Sequence, residues 1–239
     1  TPATGYRLQA ETPIQNQQAR DIQLFMQESC LNNQWSSLHY LFPAESELQL
    51  FHQGDWLLRK GVQFHWFNQN YQSFDHYLSH FKSRKRKDIR KEREGIKEHK
   101  VYIRRLVGEQ ILPEDIQFFY QCYQLTYLKR GMSGYLTIQA FFSLLKKLGN
   151  QMMMVKAVHE GAPIACALYF FDDHSLYGRY WGCRQEVPNL HFEACYYQGI
   201  EFCIERGLKH FDPGTQGEHK IRRGFEPIIT HSLHWMARA

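Results

Sequence analysis

The sequence lacks the features that mark most alternatives to a folded globular chain. Its longest apolar runs, such as IACALYFF, are the length of a strand and fall short of the roughly 18 apolar residues that cross a bilayer. Eight prolines and sixteen glycines in 239 residues exclude collagen-like and low-complexity chains. A hydrophobic fraction of 43% and a charged fraction of 22% are typical of a folded protein and exclude disorder as the main state.

Cysteine patterns that would indicate metal or disulfide chemistry are also absent. The six cysteines form no C-x-x-C pair, so we expect neither a zinc finger nor a disulfide framework. The thirteen histidines offer no ligand quartet with suitable spacing, and we expect no metal site. No charged-then-apolar leader follows Thr1, so no signal peptide is predicted. These observations favour a reducing, cytoplasmic compartment.

Positive charge is concentrated in one segment of the chain. Residues 82–105 hold twelve Lys or Arg and four Asp or Glu, a local net charge of +8, whereas the remainder has 17 basic and 20 acidic residues. So dense a basic segment indicates contact with phosphate, in a nucleic acid, a cofactor pyrophosphate or an anionic surface. The alternative is a solvated helix with charge pairs such as Arg90–Glu94.

The order of elements predicts a mixed α/β fold with a central antiparallel meander. No G-x-G-x-x-G or G-x-x-x-x-G-K motif occurs, which removes the main signal for a Rossmann or P-loop protein. Hydrophobic periodicity predicts helices over 16–31, 45–52, 74–81, 83–98, 113–130, 138–148 and 190–206, and strands over 35–42, 56–67, 101–107, 152–159, 162–171, 175–182, 210–212 and 230–236.

Four segments carry a family resemblance. They are SRKRKDIRKER (83–93), YGRYWG (177–182), LHFEACYYQGIEFCIERGLKHFDPGTQGEHKIRRGFEP (190–227) and HSLHW (231–235). In these the chain resembles the FemAB-like group of the GNAT superfamily, and within it the bacterial family concerned with peptidoglycan biosynthesis and recognition. The resemblance implies a GNAT-like acyl-CoA N-acyltransferase fold. It also implies one complete domain over 79–239 and the C-terminal part of another over 1–78, with the basic helix 82–98 at the junction.

The resemblance implies acyl or aminoacyl transfer to an amine, for which acyl-CoA and aminoacyl-tRNA are the candidate co-substrates and no tightly bound cofactor is expected. The GNAT pyrophosphate loop R-x-x-G-x-G/A is missing after 177–182, where the sequence continues WGCRQEVPNLHFEA. This departure counts against ordinary acetyl-CoA binding. Arg184 in this loop is either a phosphate ligand or a plain surface arginine.

The segment GTQGEHKIRRGFEP concentrates a carboxylate, an imidazole and three cations within six positions. Such a set binds an anion and moves a proton. We therefore predict Glu218 or His219 as the general base. We predict that a phosphate or donor is held by Lys220, Arg222, Arg223, Arg84, Lys85 and Arg86. The alternative is a polar surface loop whose charges pair with one another.

Aromatic and charged residues of the neighbouring strand and helix complete the predicted site. Arg179 on a central strand requires a partner, for which Glu193 or a ligand is suitable. The helix dipole alone also explains Glu193 at a helix start, and core packing explains the aromatics. The predicted substrate-binding residues are Arg179, Tyr180, Trp181, His191, Glu193 and Tyr197.

Two functions are consistent with these features. The first is an N-acyltransferase acting on a small-molecule or cell-wall precursor amine. The second is a binding module without catalysis that recognises peptidoglycan or a nucleic acid such as tRNA, which the basic segment and the abundant aromatics favour. A structural role for 1–78, shielding the sheet of the second domain, is a third expectation.

Overall fold

The computed structural model describes residues 3–215 and 217–237. In chain order the elements are α1 (Asn16–Asn32), β1 (Ser37–Leu41), α2 (Glu45–Phe51), β2 (Leu57–Phe67), α3 (Phe74–Ser79), α4 (Ser83–Glu98), β3 (Val101–Val107), α5 (Pro113–Leu128), α6 (Ile138–Leu148), β4 (Met152–His159), β5 (Ala162–Phe171), β6 (Ser175–Cys183), α7 (Leu190–Phe192), α8 (Gln198–Arg206), β7 (His210–Asp212) and β8 (Glu226–Met236). A π-helical turn, Glu193–Tyr197, joins α7 to α8, and a 3-10 helix spans Glu218–Arg223.

The chain divides into two compact units, Thr1–Gln63 with Pro227–Ala239 and Phe64–Glu226. The family resemblance predicts a different boundary, between residues 78 and 79, which is defined by the correspondence of this sequence to two GNAT-like domains. Contacts within one chain do not test that correspondence, and it stays a prediction.

The smaller unit buries the apolar sides of its helices against a short sheet. β1 pairs antiparallel with β8, from Ser37 opposite Met236 to Leu41 opposite Ser232. β8 lies between β1 and β2. Removal of apolar surface from water stabilises the unit, and its buried side chains are Ala19, Tyr40, Leu48, Phe51, Trp56 and Leu233.

The larger unit has strand order β2-β7-β6-β5-β4-β3. β3 to β6 form an antiparallel meander. The helical segment from α7 to α8 then crosses over to β7, which runs parallel to β6. A meander followed by a helical crossover to a parallel strand is the GNAT-like arrangement that the sequence predicts, and the α/β fold class is confirmed.

Both faces of this sheet are covered, so alternate residues of one strand enter different cores. On β4, Met152 and Met154 pack with α5 and α6, whereas Met153 and Val155 pack with Ile89 of α4 and with the segment from α7 to α8. This follows from the period of two in a strand. None of the helices within the described residues is both long and apolar enough to cross a membrane.

The basic helix α4 spans the predicted residues, and its buried apolar residues are Ile89 and Ile96. Most of its cations face solvent, as a solvated helix requires. The predicted pairing of Arg90 with Glu94 is wrong, because Arg90 Nη2 lies 2.9 Å from Asp75 Oδ1. The Asp75 carboxylate on α3 binds the Arg90 guanidinium, which therefore pairs outside its own helix.

Three other elements differ from prediction. β8 begins at Glu226 rather than residue 230, since Pro227 near its start reads as a break. The polar segment after Gly217 is a 3-10 helix rather than a loop. The helix predicted over 190–206 contains the π-helical turn, which hydrophobic periodicity does not reveal because one extra residue in a turn leaves the apolar pattern nearly intact.

The approach of α5 to β6 gives a direct test of this packing. A Cβ on Gly182 would overlap the backbone carbonyl of Cys122 on α5, whereas a Cβ on Gly95 of α4 would meet open space. We expect Gly182→Ala to lower the free energy of unfolding by about 1–3 kcal/mol through overpacking. Gly95→Ala should raise it by about 1 kcal/mol through helix propensity. Urea unfolding of both variants measures the difference, and equal stabilities would contradict the described approach.

Candidate functional site

A cleft of about 280 Å³ opens in the larger unit beside β6. Its walls come from β5 and β6, the end of α5, the π-helical turn and the segment that follows β7. Aromatic and cationic side chains dominate the lining: Tyr123, Tyr127, Arg130, Arg179, Trp181, His191, Tyr196, His219 and Lys220 are among its members. No Asp or Glu occurs among the described residues that line it.

A β-bulge explains why four consecutive residues of β6 reach the cleft. Leu168 of β5 pairs with Tyr180 and Tyr169 pairs with Gly178, which leaves Arg179 as the extra residue. Regular alternation predicts Tyr180 opposite Arg179, but a bulge re-aims side chains locally. Residues 178–181 therefore all line the cleft.

Arg179 lies near a carboxylate other than the predicted one. Its Nη2 is 4.0 Å from Oδ2 of Asp212, whose side chain is buried, and the Arg179 side chain is partly buried. Glu193, proposed as its partner, is instead bound by Arg93 through two hydrogen bonds of 2.9 Å. The prediction of a Glu193 partner is wrong because Glu193 faces α4 rather than β6.

The π-helical turn places the predicted residues of 190–197 on two different sides of the helical segment. It places His191 and Tyr196, five positions apart, on one face with their ring centroids 5.3 Å apart, and both line the cleft. Tyr197 points the other way, and its hydroxyl donates to Glu92. Of the residues predicted here, His191 reaches the cleft and Glu193 and Tyr197 do not. A π-turn at this place fits the frequent use of such turns at functional sites.

His219 and Lys220 bring proton-transfer and cationic groups to the cleft. The Nε2 atom of His219 is 2.8 Å from the Tyr196 hydroxyl. Burial lowers the pKa of His219 below its ordinary value, and Arg223 and Lys220 add to this. The ring is therefore neutral at pH 7. Gly217 permits the position: its φ is +100°, and a Cβ there would overlap the imidazole.

Lys220 is one of the most buried cations of the described chain, with 1% of its surface exposed. Its Nζ donates to the carbonyl of Gly214 at 2.5 Å. Burial lowers the pKa of Lys220 to about 8, while the charge of Asp212 opposes that shift. Burial also lowers the pKa of His191 to about 4, so the cleft holds two neutral imidazoles beside an ammonium group near its titration point.

The other candidate base, Glu218, and the other predicted ion-binding residues lie outside the cleft. Glu218 and Arg222 are exposed, and Arg223 is paired with Glu92, with Nη2 2.6 Å from Oε1. On α4, Lys85 Nζ donates to the Ile221 carbonyl at 3.1 Å and Arg86 donates to Phe81. Arg84 is exposed. In the loop after β6, Arg184 binds Gln121. The roles predicted for these side chains stay predictions.

Several lining residues were not predicted from the sequence. Tyr123, Tyr127 and Arg130 belong to the aromatic face and end of α5, where helical periodicity indicates only core packing. Asp212, which does not line the cleft, was also not predicted; it precedes Pro213 and Gly214 at the end of β7, a usable signal for a residue at a sheet edge. Among the described residues, no group of three or more His, Cys, Asp or Glu side chains converges to hold a metal ion.

The fold is shared with proteins of known structure at low sequence identity. The structure of L-PGS from Bacillus licheniformis matches 94% of this chain and 75% of its own, with 12% identity and a TM-score of 0.63. The C-terminal domain of a putative lysylphosphatidylglycerol synthetase from Agrobacterium fabrum matches 90% of this chain and 72% of its own, with 10% identity and a TM-score of 0.60. FemX matches with 93% and 77% coverage, 11% identity and a TM-score of 0.56.

No curated protein matches the sequence. A protein-family comparison does: the FemAB-like family, described as peptidoglycan biosynthesis/recognition, matches residues 1–239. The match extends over the whole chain, including the cleft and the basic helix. The chain therefore belongs to the FemAB-like family.

Proposed function

We propose that this chain is an N-acyltransferase that moves an acyl or aminoacyl group to an amine, with a cell-wall precursor as the acceptor. One observation carries the proposal: His219, Lys220 and Arg179 converge on a single cleft whose described lining has no acidic side chain. Such a cleft suits a reaction that releases a proton from an amine while negative charge develops on a carbonyl oxygen.

The chemistry follows from these groups. The acceptor nitrogen attacks the acyl carbon, and a carbon–nitrogen bond forms while the bond from carbon to the donor sulfur or oxygen breaks. Neutral His219 takes the proton that the amine loses, and the departing thiol or hydroxyl receives a proton in return. Lys220 and Arg179 stabilise the anionic oxygen of the tetrahedral intermediate.

Arg130 extends the cationic surface to the mouth of the cleft. It follows the last turn of α5, is exposed, and forms no ion pair with a described residue. A guanidinium in this position is suited to a phosphate or carboxylate of the incoming substrate. Both candidate donors, acyl-CoA and aminoacyl-tRNA, carry phosphate, and the missing pyrophosphate loop favours aminoacyl-tRNA.

Family and fold support the same class of reaction. The family description, peptidoglycan biosynthesis/recognition, supports a cell-wall acceptor, and the name of one structural neighbour refers to synthesis of a lysyl-bearing lipid.

Adjacent residues on the 3-10 helix provide the test. His219 lines the cleft and Glu218 does not, so we expect His219→Ala to lower turnover by about 100-fold or more, the usual contribution of a general base. Glu218→Gln should retain turnover within a few-fold. The measurement is acceptor-dependent release of free thiol from acyl-CoA or of deacylated tRNA from aminoacyl-tRNA. Equal losses in the two variants would remove His219 from this role, and no turnover with either donor would remove the proposed reaction.

The pH dependence should show two limbs. Acid pH protonates His219, whose pKa burial holds below 6.5, and the base is lost. Alkaline pH deprotonates Lys220, whose pKa is about 8, and the cation is lost. Lys220→Arg keeps a charge that does not titrate in this range, so the ratio of wild-type to variant kcat/KM should fall above pH 8. The ratio cancels the titration of the acceptor amine. A constant ratio would contradict a cationic role for Lys220.

A second function, RNA binding without catalysis, is favoured by a separate groove. It has a volume of about 1180 Å³ and lies between α4 and the 3-10 helix. Its exposed cations without an ion-pair partner among described residues are Lys82, Arg84, Lys91 and Arg222. This surface is suited to a phosphate backbone.

The salt dependence of RNA binding tests phosphate contact at this groove. If the groove contacts phosphates, replacing Arg84, Lys91 and Arg222 by Gln should weaken tRNA binding and reduce the slope of log affinity against log salt by about two to three units. Replacing Arg20, Arg59 and Lys60 by Gln removes three exposed charges of the smaller unit and is the control. A slope that is equal in both triple variants would contradict phosphate contact at the groove.

A further inference from the structure

A buried carboxylate lies directly behind the cleft. Asp212, at the end of β7, is 1% exposed and is not among the lining residues. Its Oδ1 accepts the backbone N–H of Gly214 at 2.8 Å. Its Oδ2 has no hydrogen-bond donor among the described residues. A buried negative charge of this kind requires a nearby cation.

Two cations of the cleft are available to it. Arg179 lies 4.0 Å from Oδ2. Lys220 is linked to Asp212 through one residue, because Asp212 accepts the N–H of Gly214 while Lys220 donates to the carbonyl of Gly214. The same turn therefore positions the carboxylate and the ammonium group, and the charge of Asp212 favours the protonated form of Lys220.

Two histidines behind Asp212 do not neutralise it. His65 Nδ1 and His210 Nε2 are 2.7 Å apart, and His210 Nδ1 is 3.2 Å from the Ser175 hydroxyl. His65 Nε2 lies 3.7 Å from Asp212 Oδ1. Burial lowers the pKa of His65 to about 4 and also lowers the pKa of His210. Both rings are neutral at pH 7, so the carboxylate charge acts on the cleft.

We propose that Asp212 is a positioning residue that keeps Lys220 protonated in the cleft. The inference deepens the proposed function, in which Lys220 acts as a cation. Arg179 competes with Lys220 for the same carboxylate, so the protonation of Lys220 depends on both. The titratable and charged groups that face Lys220 are His65, Arg179, His191, Cys195, Tyr196 and Asp212. Its own helix adds His219 and Arg223, whereas Glu218 and Arg222 of that helix are exposed.

Direct titration of the lysine tests this proposal. In NMR of protein containing carbon-13-labelled lysine, the signal of Lys220 is assigned by its loss in Lys220→Arg. Asp212→Asn keeps an oxygen that accepts from Gly214 but removes the charge. We expect its Lys220 midpoint to fall by about one pH unit, the effect of losing an opposite charge nearby. At pH 7 the protonated fraction then drops from about nine-tenths to about half.

Two further variants keep the test decisive. Arg179→Gln removes the competing cation and should raise the midpoint, which provides a result even if Asp212→Asn does not fold. Asp173→Asn makes the same chemical change at an exposed carboxylate and should leave the midpoint unchanged. An unchanged midpoint in Asp212→Asn, or in Arg179→Gln, would overturn the proposal. The titration uses no substrate, so its outcome is independent of whether acyl transfer is detected.

Discussion

The ion pair between Arg223 and Glu92 is the interaction on which the cleft depends. Arg223 donates to both carboxylate oxygens of Glu92, at 2.6 and 3.2 Å, and its guanidinium carbon lies 3.4 Å from the ring centroid of Phe192. The same guanidinium donates to the backbone carbonyl of His219 at 2.9 Å. The buried side chain of Arg223 thus holds the 3-10 helix against α4 and against Phe192 of α7.

His219 and Lys220, to which we assign the proposed chemistry, lie on the same 3-10 helix. Because Arg223 fixes its position, His219 and Lys220 point into the cleft rather than into solvent. Removing one partner of a fully buried pair costs about 3–5 kcal/mol, and the 25% exposure of the Glu92 side chain lowers that cost here. The positions of His219 and Lys220 in the cleft therefore depend on an ion pair outside it.

The charged side chains of the basic segment fall into two groups, which its net charge alone does not distinguish. Some of its charged residues form ion pairs with other elements: Glu92 pairs with Arg223, and Arg93 pairs with Glu193 and Glu201. Other cations, such as Arg84 and Lys91, remain exposed along the groove. Charge pairing therefore describes part of α4, with partners on other elements, and phosphate contact by the exposed cations stays a prediction.

Much of the fold was predictable from the sequence because strands and helices follow apolar periodicity. The meander, the basic helix and the helix after β6 were predicted within a few residues. The bulge at Arg179 and the π-helical turn were not, since each adds one residue without changing which residues are apolar. These two irregularities decide the site: they bring Arg179, His191 and Tyr196 to one cleft and turn Glu193 away from it. His219 and Lys220 were recognised by their chemistry, whereas Asp212 was missed because its partners are distant in the sequence.

The central claim is that the cleft binds the substrates of acyl transfer. Hydrogen exchange with and without donor tests this claim most directly. Acyl-CoA and aminoacyl-tRNA would each be added to the full chain, and backbone protection mapped by mass spectrometry. A donor bound in the cleft should slow exchange in 178–181, in 217–220 and at the end of α5. Protection confined to α4, with no change in those segments, would contradict it.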